Sequence, residues 1–472
     1  MSAVLTRRSS EKTGQVVALI VVLGVATGAA VVARPLVAIA AIVAMAWVVI
    51  LLRHWGLAAL ASLVLVVVAP RYVYPVAGIN VNLERLTLPI LCAAMVMVLA
   101  IRPKTIPLRF GWPHLGLAFF IAANAIASIL NAPSASDSLR LTLLIAIASL
   151  PFWILPSLGL NTRAMRIGFY IFVAIGTAEG LFGLLSLVLY QARGIDLGIQ
   201  TDWLTGAPSP FGSMWEGNIF GSFVGAVFVA AFALLLSVGP QWNWRWLLRA
   251  SVVCLAIALV ASLSRGAWLG AFVGVGIVVV LAGGQRKRYL AGAGIAIAVI
   301  FIAAQLAFPA SPVVTGAQHR LQTLSNPVGL QNDPTTAERL YAYGLAISDW
   351  RAQPLIGWGA GSLGQDYSAL SQNIPVWVAN LELHALHDSG VIGLAGLLVA
   401  LIGVVVKVMQ AIRRLRPGSI ERGILVGLLA ACVSLIIAFQ ATEATWLGYS
   451  WLLFGLAWTA ASISTARRNK TR

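Results

Sequence analysis

Apolar runs of about 15 to 25 residues recur along the whole of this chain, and each is close to the ~20 residues a helix needs to cross a ~30 Å hydrocarbon core. A helix that is apolar on every side has to be buried on every side, in protein or in lipid. Composition agrees: 60% of the residues are hydrophobic and 10% are charged, whereas a soluble domain is about half apolar and a quarter charged. The expected fold is all-α, a polytopic transmembrane bundle of about fourteen spans, with twelve to fourteen compatible with the short runs. These lie near residues 16–33, 36–52, 56–70, 86–101, 114–130, 141–158, 167–190, 218–238, 250–264, 266–282, 290–308, 390–411, 424–441 and 446–463. Arg7 and Arg8 precede the first run as in a signal peptide. That run continues to Val32 and further spans follow at once, so it reads as an uncleaved first helix.

A net charge of +17 would suit a nucleic-acid binder only if the basic residues gathered on one solvated face. They sit between the apolar runs instead. Starting inside and alternating, 23 of the 32 Lys and Arg fall in inner segments, including all five lysines. The excess of Lys and Arg in cytoplasmic loops therefore orients the chain with both termini in the cytoplasm. The expected partners of this basic surface are membrane lipids with anionic headgroups, and not nucleic acid. Cys92, Cys254 and Cys432 lie within apolar runs and no CxxC occurs, so they read as small core side chains.

The same frame divides the chain into spans over 1–308, one outer loop over 309–389, and spans with a basic cytoplasmic tail over 390–472. A loop of that length is functional or disordered. Thr335 and Glu338 have the spacing of a capping box opening ERLYAYGLAISDWRA, and the predicted loop is therefore partly helical. The sequence shows no internal repeat of the kind that builds transporters from inverted halves.

Several polar residues stand where chemistry could occur. Arg265, in SLSRGAWLG, separates two apolar runs too long for one crossing, and lies at the outer interface. It reads either as a snorkelling anchor or as a bidentate ligand for phosphate oxygens. In FGSMWEGNIFG, Glu216 and Asn218 open a span near a helix N-terminus. Arg339 lies in the loop helix, ahead of the glycine-rich PLIGWGAGSLG. Its GxGxxG spacing lacks the strand-turn-helix context of a dinucleotide fingerprint. Asn380, His384 and His387 share one helical face at the entry to a span. An imidazole there is either a general base or an interfacial hydrogen-bonding group. The HxxH pair has no evident third ligand, and neither metal nor cofactor is expected. Glu179, within a span, is either functional or paired in the packing.

Taken together, SLSRGAWLG, FGSMWEGNIFG, ERLYAYGLAISDWRAQPLIGWGAGSLG and HDSGVIGL resemble, in order, the motifs of the O-antigen ligase and O-antigen polymerase superfamily over residues 206–396. The resemblance implies a glycosyltransferase of the bacterial cytoplasmic membrane, active on its outer side in making surface polysaccharide such as lipopolysaccharide. Its donor would be a glycan on undecaprenyl diphosphate, and its acceptor a hydroxyl of a glycan or lipid-anchored sugar, with no metal. By the resemblance, Arg265 and Arg339 bind carrier or substrate; Asn218 and Asn380 are further substrate-binding candidates. The family's histidine before the asparagine is here Ala379, and its arginine before the Glu-x-Asn segment is missing. His387 is then the first candidate for the base and His384 the second, with Glu216 or Asp388 as carboxylate alternatives. A ligase is expected; a polymerase of the same superfamily is the alternative, and a transporter or flippase the alternative of another class.

Overall fold

The computed structural model describes residues 46–47, 50, 55–66, 71, 73–76, 79–101, 109–201, 206–238, 242–282, 312–325, 333–368 and 375–469. The chain forms two compact units, Met1–Ala59 and Leu60–Arg472. The spans expected at 16–33 and 290–308 lie outside the described residues, as does most of 36–52.

The described chain is helical apart from two short antiparallel hairpins. In order it forms α1 (Trp55–Val66), β1 (Val73–Val76), β2 (Ile79–Asn82), α2 (Leu83–Ile101), α3 (Trp112–Leu130), α4 (Ala135–Ala148) and α5 (Leu150–Ile154). There follow α6 (Thr162–Arg193), β3 (Ile199–Thr201), β4 (Pro208–Pro210), α7 (Gly217–Ser237), α8 (Arg245–Ala261) and α9 (Arg265–Ala282). The loop contributes α10 (Pro312–Ser325), α11 (Pro334–Ala352) and α12 (Leu363–Asp366), and the chain ends in α13 (Leu381–Arg414), α14 (Ile420–Ala438) and α15 (Gly448–Asn469). β1 pairs with β2, and β3 with β4. Seven helical stretches among the described residues are long and apolar enough to cross a membrane. The protein is a polytopic helical membrane protein, and each described helix of the bundle falls on an expected span.

α7 is the centre of the bundle. It is almost wholly buried and packs against α6, α8, α9 and α14. α3 and α13 form another close pair, and glycines set their separation. A Cβ on Gly116 would stand 2.6 Å from the Gly396 carbonyl oxygen, and one on Gly396 2.7 Å from that of Gly116. Small residues let membrane helices approach so closely, and the gain is dispersion contact that lipid tails cannot match. The far side of α3 exposes Leu115, Phe119, Ile126 and Ile129, as a lipid-facing stripe should.

The buried carboxylate within α6 is tied to a loop. Glu179 accepts the Ser213 backbone N–H at 2.8 Å through Oε1 and the Ser213 hydroxyl at 2.8 Å through Oε2. It thereby fixes the segment that leads into α7, and its two bonds satisfy a group that would be costly unpaired.

The two ends of the bundle differ in chemistry. At one end Arg166 pairs with Glu421 at 2.5 Å, and Arg422 donates to the carbonyls of Leu281 and Leu415. The loop helices gather at the other end, with the start of α7, the break between α8 and α9, the start of α13 and the link from α14 to α15.

Candidate active site

The apolar run through residues 250–282 breaks where it is too long for one crossing. α8 stops at Ala261 and α9 starts at Arg265, with Leu263 between them in the left-handed region at φ 53°. Strain of this kind in a residue with a Cβ costs on the order of 1–3 kcal/mol and persists only where its surroundings enforce it. Here the Ser262 hydroxyl folds back on the Leu259 carbonyl at 2.7 Å, and the Trp268 indole N–H donates to the same carbonyl at 2.8 Å. The turn presents Arg265 to the loop.

α11 begins earlier than the Thr335–Glu338 spacing suggests. Asp333 is its N-cap, its carboxylate accepting the Thr335 N–H at 3.1 Å. Pro334 follows at the first helical position, where its missing N–H costs nothing. An Asp-Pro start therefore takes the place of the expected capping box. The Asp333 side chain is 1% exposed and forms ion pairs with Arg265 at 2.5 Å and Arg320 of α10 at 3.6 Å. The Thr335 hydroxyl donates to Asp333 at 2.6 Å and accepts from Arg265 at 3.3 Å and from Arg320 at 3.4 Å. Burial alone would raise the Asp333 carboxyl, but the Thr335 hydroxyl and the Arg265 charge outweigh it and hold the group below its ordinary range.

Arg339, one turn along α11, completes a group of three guanidinium side chains. Burial lowers its pKa, against the raising effect of Tyr343, and the charges of Arg265, Glu216 and Arg320 act on it as well. An arginine so placed remains charged. Glu216 is the N-cap of α7 and accepts the Thr442 hydroxyl at 3.0 Å. Asn218 lies half-buried in the first turn of α7. The structure thus brings together Arg265, Arg339 and Glu216, which the sequence singles out. It adds Arg320, Asp333 and Thr442, which no motif marks, and Thr335, which the sequence marks only as a helix cap.

The other three site residues assemble elsewhere. Asn380 caps α13 by accepting the Leu383 N–H at 2.9 Å and donates to Gln440 at 3.0 Å. His384 places Nδ1 3.1 Å from the Val378 carbonyl and Nε2 2.8 Å from Asp388. A carbonyl only accepts and the carboxylate takes the other nitrogen, so no lone pair of this ring is left to receive a proton. His387 is 1% exposed at its side chain; Nδ1 meets Asp388 at 2.8 Å, while Nε2 has no hydrogen-bond partner and lies 3.7 Å from Asp349. Asp349 stands about 15 Å beyond Arg339 along α11 at helical rise.

Asp388 does more than hold two imidazoles. It also accepts the Gly361 N–H at 2.8 Å, while the backbone carbonyls of His387 and Asp388 accept from Trp358 at 3.0 Å and Gly359 at 2.8 Å. The glycine-rich turn is thereby seated on α13 where that helix breaks at Gly390, φ 62° and ψ −168°. A Cβ at Gly390 would run into the Leu355 carbonyl, and Val391 and Ile392 pair instead with the carbonyls of Pro354 and Leu355. The histidine pair belongs to this clasp between loop and helix.

Ala379, at the place where the resemblance implies histidine, takes part through its backbone. Its carbonyl accepts the Tyr343 hydroxyl at 3.0 Å, and Tyr343 lies one turn from Arg339 on the same helix. Residue 379 is thus one hydrogen bond from the helix turn that carries Arg339. Of Glu216 and Asp388, the carboxylates considered as bases, Glu216 is the one whose charge acts on Arg339.

No curated protein matches this chain. A family model described as O-antigen ligase matches residues 250–398, a stretch that contains the strained turn before Arg265, the arginines of the loop and the broken helix at Gly390. Over that stretch the chain is similar to the O-antigen ligase family.

Proposed function

We propose that the protein transfers a glycan from an undecaprenyl-diphosphate carrier to an acceptor hydroxyl, without a metal, at the outer face of the bacterial cytoplasmic membrane. The observation that supports this reading best is the convergence of Arg265, Arg320 and Arg339 from three elements at the loop end of the bundle. The three guanidinium groups concentrate positive charge at that end of the bundle. Ligation of the glycan to a sugar acceptor, as in lipopolysaccharide assembly, is the first reading and polymerisation the alternative.

In this mechanism the acceptor oxygen attacks the anomeric carbon of the donor and passes its proton to a base. The bond from that carbon to the diphosphate oxygen breaks, and its electron pair leaves with the diphosphate. Charge grows on the leaving group, and guanidinium groups fixed beforehand stabilise that charge more than mobile water does. The base must come within about 3 Å of the attacking hydroxyl, directly or through one water, and so must stand close to the arginines. Glu216 meets this condition and is assigned the role. A second reading, His387, is favoured by its unpartnered Nε2, with Asp388 orienting the ring.

Deletion of the gene tests the function. Surface glycan should be lost while its undecaprenyl-linked precursor accumulates. Accumulation of single repeat units, with ligation intact, would identify a polymerase instead, and an unchanged envelope would refute the proposal.

A further inference from the structure

The arginine group contains a buried acid that neither general base chemistry nor helix capping accounts for in full. An N-cap needs one oxygen, and Asp333 uses Oδ1 for the Thr335 N–H and hydroxyl. Its other oxygen, Oδ2, faces Arg265 at 2.5 Å and Arg320 at 3.6 Å. These two arginines come from different parts of the chain: one begins a membrane helix, and the other lies in a loop helix. Thr335 repeats the arrangement, its hydroxyl accepting from both guanidinium groups. The carboxylate itself is on the first turn leading to Arg339.

We infer that Asp333 is a positioning residue, which with Thr335 fixes Arg265 and Arg320 on the start of the helix that carries Arg339 and so builds the diphosphate-binding geometry. The physical need is clear. Three like charges brought together repel, and a long flexible side chain loses rotamer freedom on being fixed. One buried carboxylate between two of the three offsets part of the repulsion and selects one rotamer for each. The donor then meets guanidinium groups already in place, and the cost of ordering them falls on folding instead of binding. This inference rests on the arginine group being the donor site.

The test separates capping from positioning. Serine is as good an N-cap as aspartate, so Asp333→Ser keeps the helix start but removes the contact to both arginines. With purified full-length protein in lipid nanodiscs and an undecaprenyl-diphosphate-linked glycan as donor, Asp333→Ser should raise the donor KM by about tenfold to a hundredfold, the scale of a small misplacement of binding groups. Acceptor KM per folded molecule should stay near wild type, the unfolding temperature should fall as two buried arginines lose their carboxylate, and Asp333→Glu should recover part of the donor affinity. A wild-type donor KM in Asp333→Ser, with Arg339→Ala inactive, would reduce Asp333 to a cap and overturn the inference while leaving the donor site intact. If Arg339→Ala is also unaffected, the assignment of the donor site fails with it.

Discussion

Arg339→Ala is expected to lower glycan transfer by about 10²-fold to 10³-fold, the usual cost of removing one fixed donor from developing negative charge. Arg339 is the arginine that neither Asp333 nor Thr335 holds directly, and its charge lies among those of Arg265, Arg320 and Glu216. Arg339→Lys should recover little, because an ammonium group lacks the planar fork that engages two phosphate oxygens together. Arg265→Ala should be similarly damaging, since it also takes away the 2.5 Å partner of Asp333. The check is transfer rate per folded molecule, with membrane yield measured in parallel. Full activity in both alanine variants would remove the arginine group from the mechanism.

The second large effect is expected at Glu216. Glu216→Gln keeps an oxygen for the Thr442 hydroxyl that Glu216 now accepts at 3.0 Å, so the start of α7 should survive, but the base is lost. Removing a general base costs about 10²-fold to 10⁴-fold. His387→Ala should act differently: it breaks one bond to Asp388 in the clasp that seats residues 357–361 on the broken helix. Its main effect should be a lower unfolding temperature, with the rate per folded molecule far less changed. Rates across pH 5.5 to 8.5 for wild type and both variants decide the matter. An inactive His387→Ala beside an active Glu216→Gln would transfer the role of base to the imidazole.

Much of the fold was legible because the membrane imposes a length on every span. Hydrocarbon thickness makes each apolar run a helix whatever its neighbours are, and the runs from 86–101 to 266–282 and from 390–411 onward are helices where expected. The strained turn before Arg265 could be read from the same constraint, since one crossing could not hold both flanking runs. The site was legible only in part. Arg265, Arg339 and Glu216 belong to local motifs, whereas Arg320 lies in a loop helix with no pattern around it, and Thr442 reaches Glu216 across the bundle.

Asp333 illustrates a different loss. The segment from Asp333 to Glu338 offers two possible helix starts and takes the Asp-Pro one, while the two arginines that meet Asp333 are brought to it only by the folded chain. The histidines show the limit of reasoning from one helical face. His384 and His387 do lie on the same helix, but Val378 and Asp388 take both nitrogens of His384 and Asp388 takes one of His387, pairings that a helical face does not reveal. Glu179 was open between function and packing until its two bonds to Ser213 placed it in the packing. In each case the missing information was a partner distant in sequence.

The most direct measurement is the release of undecaprenyl diphosphate by the purified protein. Given an undecaprenyl-diphosphate-linked glycan and a sugar acceptor in a chelator-treated nanodisc, the wild-type protein should release one lipid diphosphate for each glycan joined to the acceptor. Arg339→Ala should do neither. Release of lipid monophosphate, glycan movement across the bilayer without any new glycosidic bond, or transfer undiminished in Arg339→Ala would contradict the account.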